Sequence, residues 1–298
     1  MPSTLQNSIH TVLFATDLSD HSSVALGYAA SIASAYRAKL FLVHVLDPSG
    51  ATSPMDSSSS DLRELAEAAR SDLNRISDSL LAAKGIKGEV LVRYGNVRDA
   101  IFQVQQECRA DIVVLGSSGM KIGMGKGLGS TAEAILRSVP CSVLTVGPRV
   151  EPGPFSVRAQ AILFPTDFSA SSLAALPTAT SLAISLSANL LLLHVCDPYG
   201  VSSCFGHEAA CRKKLDEIAS AIQKQAVPVK QFTRHGAIAR NILLLAEKNN
   251  ADFIVMGVHQ GDLEDGTRLH GIVSAIVREA RCPVLTVAQQ QSLKPHLV

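Results

Sequence analysis

The chain has 298 residues, about twice the roughly 100–200 that one domain usually takes, so two domains are expected. Apolar residues make up 47% and charged residues 18%, a balance that builds buried cores and excludes a disordered chain. With 27 Lys+Arg against 26 Asp+Glu the net charge is +1, without the basic excess of a nucleic-acid or anionic-membrane binder.

In chain order, Thr11–Thr16 reads as a short apolar strand and Asp20–Tyr36 as a helix of apolar and small residues. Lys39–Leu46 is a second strand. Ser49–Ser60, poor in sequence variety, reads as a loop rather than a phosphorylation target. Asp61–Lys84 is a long amphipathic helix, followed by a strand over Ile86–Arg93 and a helix over Val97–Arg109. A buried strand at Asp111–Leu115, a helix at Ser130–Ser138 and a closing strand at Cys141–Val146 complete the set. Strands that are apolar throughout, alternating with helices, imply a parallel sheet covered on both faces.

The second half repeats the first. TVLFATDLS at Thr11–Ser19 returns as AILFPTDFS at Ala161–Ser169, and VHVLDP at Val43–Pro48 returns as LHVCDP at Leu193–Pro198, both at an offset of 150. RYGNVRDAI (Arg93–Ile101), ADIVVLG (Ala110–Gly116) and CSVLTV (Cys141–Val146) return at an offset of 141, at Arg234, Ala251 and Cys282. A duplicated domain explains both offsets, with a loop shortened between them. The halves are predicted as 1–148 and 157–298, joined by the Pro- and Gly-containing stretch around Pro148–Ser156.

In such a sheet ligands bind beyond the carboxyl ends of the strands. Beyond Leu115 lies GSSGMKIGMGKGLGST (Gly116–Thr131), with six glycines in fourteen residues, Lys121, Lys126 and no acid. Glycines let backbone N–H groups approach an anion. Ser130 and Glu133 have the S-x-x-E spacing of a capping box, which would start a helix whose amino end favours phosphate. A bare glycine loop with no ligand is the bland alternative. The stretch is not a Walker A loop, because Gly127 follows Lys126.

Gly116-x2-Gly119-x9-Gly129-Ser130 resembles the nucleotide motif of the universal stress protein family, as do Thr16-Asp17, His44-Val45 and the VLTV strand. The resemblance covers nearly the whole chain as two tandem members. It implies two Rossmann-like domains (adenine nucleotide alpha hydrolase-like), each with a five-stranded parallel sheet and helices on both faces, paired through their last strands. It further implies ATP, with or without Mg2+, or another adenine nucleotide in the crevice. Ala15, Thr16, Asp17 and Val45 would line the adenine and ribose pocket, and Gly116, Gly119, Gly129, Ser130 and Thr131 would hold ribose and phosphates. For Asp17, a helix cap is the alternative role.

Copy two departs from the motif. Gly257 matches Gly116, but Gln260 stands for Gly119, His270 for Gly129, Gly271 for Ser130 and Ile272 for Thr131. Asp262, Glu264 and Asp265 against Arg268 also reverse the loop charge. Nucleotide is therefore expected mainly in the first domain. The expected role is a stress-response or signalling module, since the loop has no nucleophile or paired carboxylates beside it. A slow ATPase or phosphotransferase and a ligand-free structural adaptor are the alternatives. The expected partners are an adenine nucleotide, the chain's own second domain, a further copy as a homodimer, and a protein of unspecified kind; neither nucleic acid nor membrane is expected.

Lesser candidates read as structural. His44 and His194 recur at a strand end, where bonding to backbone is favoured over catalysis. His207-Glu208 reads as a helix start. Cys141 and Cys282 read as core, and His259, His270 and Asp262 fit no strong metal spacing. Six cysteines without a CxxC pair read as reduced thiols. Met1–His10 shows no secretory pattern and no apolar run is long enough to span a bilayer, so a cytoplasmic protein is expected.

Overall fold

The computed structural model describes residues 9–47, 59–117, 128–151, 159–196, 208–258 and 268–288. In the first half, β1 (Thr11–Ala15), α1 (Asp20–Tyr36), β2 (Lys39–Leu46), α2 (Ser59–Lys84), β3 (Gly88–Tyr94) and α3 (Val97–Cys108) follow one another. β4 (Ile112–Gly116), α4 (Ser130–Ser138) and β5 (Ser142–Val146) close it. The second half runs β6 (Ala161–Pro165), α5 (Ala170–Ala174), α6 (Leu176–Leu186), β7 (Asn189–Cys196) and α7 (Glu208–Gln223). It ends with β8 (Val229–His235), α8 (Ile238–Lys248), β9 (Phe253–Val258), α9 (Arg268–Glu279) and β10 (Val284–Ala288). The helix that is single in the first half, α1, is split in the second. Pro177 sits at the start of α6, where its missing N–H and fixed φ suit a first turn and not a helix interior.

All strands lie in one sheet, in the order β3-β2-β1-β4-β5-β10-β9-β6-β7-β8. Neighbours within each half are parallel. At the seam β5 and β10 run antiparallel, with Leu144 opposite Leu285, and the Thr286 hydroxyl donates to the Val143 carbonyl at 3.1 Å. Each of these strands covers the other's open edge, which would otherwise expose unpaired backbone groups.

Alternate residues of each strand face opposite sides of the sheet. On one side Val12, Phe14, Leu40 and Leu42 pack under α1 and α2, and Ile162, Phe164, Leu190 and Leu192 under α6 and α7. These form a single continuous core spanning both halves. Tyr28 of α1 meets Phe253 of β9 edge-on at 5.6 Å, and the Tyr36 and Ser181 hydroxyls lie 3.1 Å apart, so α1 packs against the other half. On the other side there are two cores. One holds Leu13, Val113, Ile101 of α3 and Ile135 of α4; the other holds Leu163, Ile254, Ile242 of α8 and Val273 of α9. Leu128 packs against both.

The amino ends of β1 and β6 are held in the same way. Asp111 Oδ2 accepts from the amides of His10 (2.7 Å) and Thr11 (2.9 Å), and Asp252 Oδ2 from those of Gln160 (2.6 Å) and Ala161 (3.0 Å). Among the described residues no helix is long and apolar enough to cross a membrane. Burial pushes the thiols of Cys141 and Cys282 up to about 12, which suits packing groups and not redox partners.

Candidate functional site

Strand order reverses between β1 and β4, which places the crevice of the first half at their carboxyl ends. β1 lies between β2 and β4, with Ala15 opposite both Val43 and Leu115. The ends of three adjacent strands therefore bring Ala15, Val45 and Gly116 side by side. Ala15 and Thr16 are buried; Asp17, Val45 and Gly116 are half-buried.

The turn leaving β1 is tightly bonded. Thr16 N donates to Val43 O (3.0 Å), its hydroxyl accepts from Leu18 N (2.9 Å) and lies 2.8 Å from Ser22 Oγ, and Leu18 takes a left-handed φ of 62°. Asp17 Oδ1 accepts from both the amide (3.0 Å) and the hydroxyl (2.6 Å) of Ser19. Ser19, not Asp17, caps α1, so the cap role open to Asp17 belongs two residues further on. His44 donates from Nδ1 to Thr16 O at 2.9 Å; a carbonyl only accepts, so the proton sits on Nδ1. The second half reproduces this turn through Thr166, Asp167, Phe168, Ser169, Ser172 and His194. Its bonds are thus independent of whether the glycine motif is kept.

The glycine loop leaves β4 at Gly116 and returns at α4. Gly119, Lys121 and Lys126 lie outside the described residues, as do Gln260, Asp262, Glu264, Asp265, His259 and His207. The two ends of the loop are joined, since Gly129 N donates to Ser117 O at 3.0 Å. Gly129 itself is the N-cap of α4, with φ −58° and ψ 141°, and Ser130 and Thr131 are exposed in the first turn. The capping box expected of Ser130 and Glu133 does not form. The helix starts one residue earlier than that box requires, so Glu133 is the fourth helical residue and its N–H bonds Gly129 O. Its carboxylate instead pairs with Arg137 and, at 2.9 Å, with His270 Nε2 from α9. The amides of Ser130, Thr131 and Ala132 remain the first-turn donors for which a helix provides no acceptor of its own.

Sequence reasoning passed over two further features. Ser117, the residue after the first motif glycine, is 5% exposed, and its hydroxyl meets no hydrogen-bond partner among the described residues. Its adjacency to Gly116 was the available signal. The other is the reason for the first glycine. At Gly257, the counterpart of Gly116, a Cβ would stand 2.1 Å from Ser171 O and 2.6 Å from Ser172 Cα. The position is glycine in copy two because the start of α5 packs directly on β9, a need that remains when the rest of the motif is gone.

The second crevice is closed at its rim. His194, Val195 and Cys196 are 1%, 7% and 3% exposed, whereas their counterparts His44, Val45 and Leu46 are half-buried. Phe168, standing where copy one has Leu18, stacks on His194 with ring centroids 4.4 Å apart, and Lys214 Nζ lies 5.2 Å above the Phe168 ring. Burial holds the His194 pKa below its ordinary 6.5 despite the bond to Thr166. Glu208, the first residue of α7, pairs with His235 at 3.3 Å. Among the described residues no three His, Cys, Asp or Glu side chains gather to hold a metal.

Comparison with known proteins agrees with this architecture. A solved universal stress protein from Archaeoglobus fulgidus superposes with a TM-score of 0.74 at 21% identity, covering 93% of this chain and 98% of that one. A Pseudomonas aeruginosa protein gives 0.64 at 16% identity, covering 95% and 94%. In sequence, a Thermus aquaticus universal stress protein is 29% identical over 137 residues, which is 46% of this chain and 97% of the relative. Nearly the whole of that relative thus matches about half of this chain, and residues 8–147 and 159–288 each match the Universal stress protein family. The chain is a tandem member of the universal stress protein family.

Proposed function

We propose that this universal stress protein binds an adenine nucleotide, ATP with or without Mg2+, in its first domain (1–148) and uses occupancy of that site as a signal in a stress response. The observation that carries this reading is the pinned return of the glycine loop to the amino end of α4, next to the half-open crevice between β1 and β4. The residues present fit the ligand. The buried Ser117 hydroxyl is a donor in want of a partner, and the exposed hydroxyls of Ser130 and Thr131 stand beside first-turn amides suited to an anion. Ala15 and Val45 offer an apolar strand edge to the base, Asp17 stands at the ribose side, and Gly116, Gly119 and Gly129 admit the backbone to phosphate.

The second domain (157–298) is proposed to bind nucleotide weakly or not at all. Phe168 stacked on a buried His194 closes the rim that is half-open in the first domain, and Ile272 carries no hydroxyl where Thr131 does. The second domain serves as the fixed mate of the first, joined through β5 and β10. At the crevice Asp17 Oδ1 is taken up by Ser19 and the His44 Nδ1 proton by the Thr16 carbonyl, which favours a binding module over rapid hydrolysis.

Calorimetry with ATP tests the reading. About one site per chain is expected, and two sites of matched affinity would overturn the assignment to one domain. Gly129→Asp should abolish binding by tenfold or more, because it sets a carboxylate at the phosphate end. Asp is also a favoured N-cap, so the variant should melt at or above the wild-type temperature. Loss of binding without loss of fold is the expected pair of results.

A further inference from the structure

His270 occupies the place in copy two that the loop glycine Gly129 occupies in copy one, and it no longer serves a loop of that kind. Its Nε2 reaches across the seam to Glu133 of α4 at 2.9 Å, with Arg137 of α4 at 3.5 Å and the Ser274 hydroxyl of its own helix at 3.3 Å. Arg137 pairs with the same Glu133 oxygen. The cluster is largely enclosed, with Glu133, Arg137 and His270 side chains 26%, 29% and 20% exposed. A second contact runs beside it. Leu128, immediately before the cap of α4, packs against the cores of both halves. Tight packing also marks this seam at Gly147, where a Cβ would come within 2.1 Å of Val277 O in α9.

Glu133 follows directly on the amide donors at the start of α4, about 1.5–4.5 Å behind them along the axis. An unpaired carboxylate there would oppose a polyphosphate on those donors. Arg137 and His270 both hold that carboxylate, and only Arg137 belongs to the first domain. We propose that His270 is a positioning residue for the first domain's phosphate site: acting through Glu133, the motif position lost from copy two tunes how tightly copy one holds phosphate. Nucleotide affinity in the first domain is thereby tied to the placement of α9 in the second, and the coupling is reciprocal. This rests on the nucleotide reading given above.

The test measures ATP and adenosine affinities of the full chain by calorimetry, with thermal melting as a check on folding. His270→Ala should weaken ATP by roughly fivefold or more while changing adenosine by less than about twofold, because Glu133 is then held by Arg137 alone and only the phosphates meet its charge. His270→Gln, whose amide can donate to Glu133, should recover most of the ATP affinity. Glu133→Gln in the His270→Ala background should recover it as well, since the charge is then absent. Equal losses for ATP and adenosine, an unchanged ATP affinity in His270→Ala, or no recovery with Glu133→Gln would overturn the inference alone. If His270→Ala fails to fold, His270→Leu, which keeps bulk but cannot donate to Glu133, takes its place, and an unchanged ATP-to-adenosine affinity ratio in it overturns the inference. A wild-type chain that binds no ATP overturns the nucleotide reading and this inference together.

Discussion

His44 and His194 sit at the same point of the repeat and bond the same carbonyl, yet their surroundings differ. His194 is buried under Phe168 and held neutral, so the folded chain resists taking up a proton that the unfolded chain accepts readily. Because the unfolded state then binds more protons, stability falls as pH drops below about 6.5 and the contribution is restored above it. Denaturant unfolding between pH 7 and pH 5 should show this slope, and His194→Asn, which keeps a donor toward Thr166 O, should flatten it. The glycines make a second residue-scale case. Gly257→Ala should cost about 1–3 kcal/mol or more, since the new methyl would meet Ser171 O at 2.1 Å and backbone cannot step aside cheaply. Both histidines were readable in the sequence as backbone-bonding groups because they recur. That one is sealed by an aromatic ring was not readable, because Leu18 and Phe168 are equally ordinary residues after a TD pair. The first motif glycine shows the limit most plainly, since one letter serves a loop-side role and a packing role that only the position of α5 distinguishes.

At the scale of elements, periodicity found α1, β2 and α4 with their observed bounds and missed others by one or two residues. Strand and helix identity follow from apolar spacing, which the two copies state twice. The start of α4 was harder to read. S-x-x-E has the same spacing whether Ser is the cap or the first helical residue, and glycine also caps helices, so the pattern alone could not decide. Glu133 was drawn away by Arg137 and by His270 from 137 positions further along, a partner no local pattern contains. The division of the α1 counterpart into α5 and α6 follows from Pro177, a signal that sequence reasoning passed over. The anchoring of β1 and β6 by Asp111 and Asp252 repeats between halves, and each carboxylate takes two backbone amides. Asp252→Ala should therefore lower unfolding stability by about 1.5–3 kcal/mol, measured by urea titration.

For the molecule as a whole, the shared core beneath α1, α2, α6 and α7 matters more than the division into two repeats. Phe164 and Phe253 are fully buried, and Phe253 is touched by Tyr28 of the first half. Heating should therefore melt both halves in one transition by calorimetry. Phe164→Ala should move that single transition downward, at a cost of about 3–5 kcal/mol, without splitting it in two. Two separate transitions would mean that the cores act independently. The duplication was plain from the offsets of 150 and 141, and the family resemblance pointed to pairing by the last strands. The continuity of one core across the seam was not visible, because apolar strands look alike whether they close a domain or bridge two.

The antiparallel meeting of β5 and β10 joins two unlike mates on one polypeptide. A tether of this kind keeps their local concentration on the order of millimolar however dilute the protein becomes. Such a molecule cannot trade one mate for another or come apart when its cellular level falls. The pairing of its halves is then independent of its own abundance, and its two faces are free to diverge because each is always presented with the same neighbour.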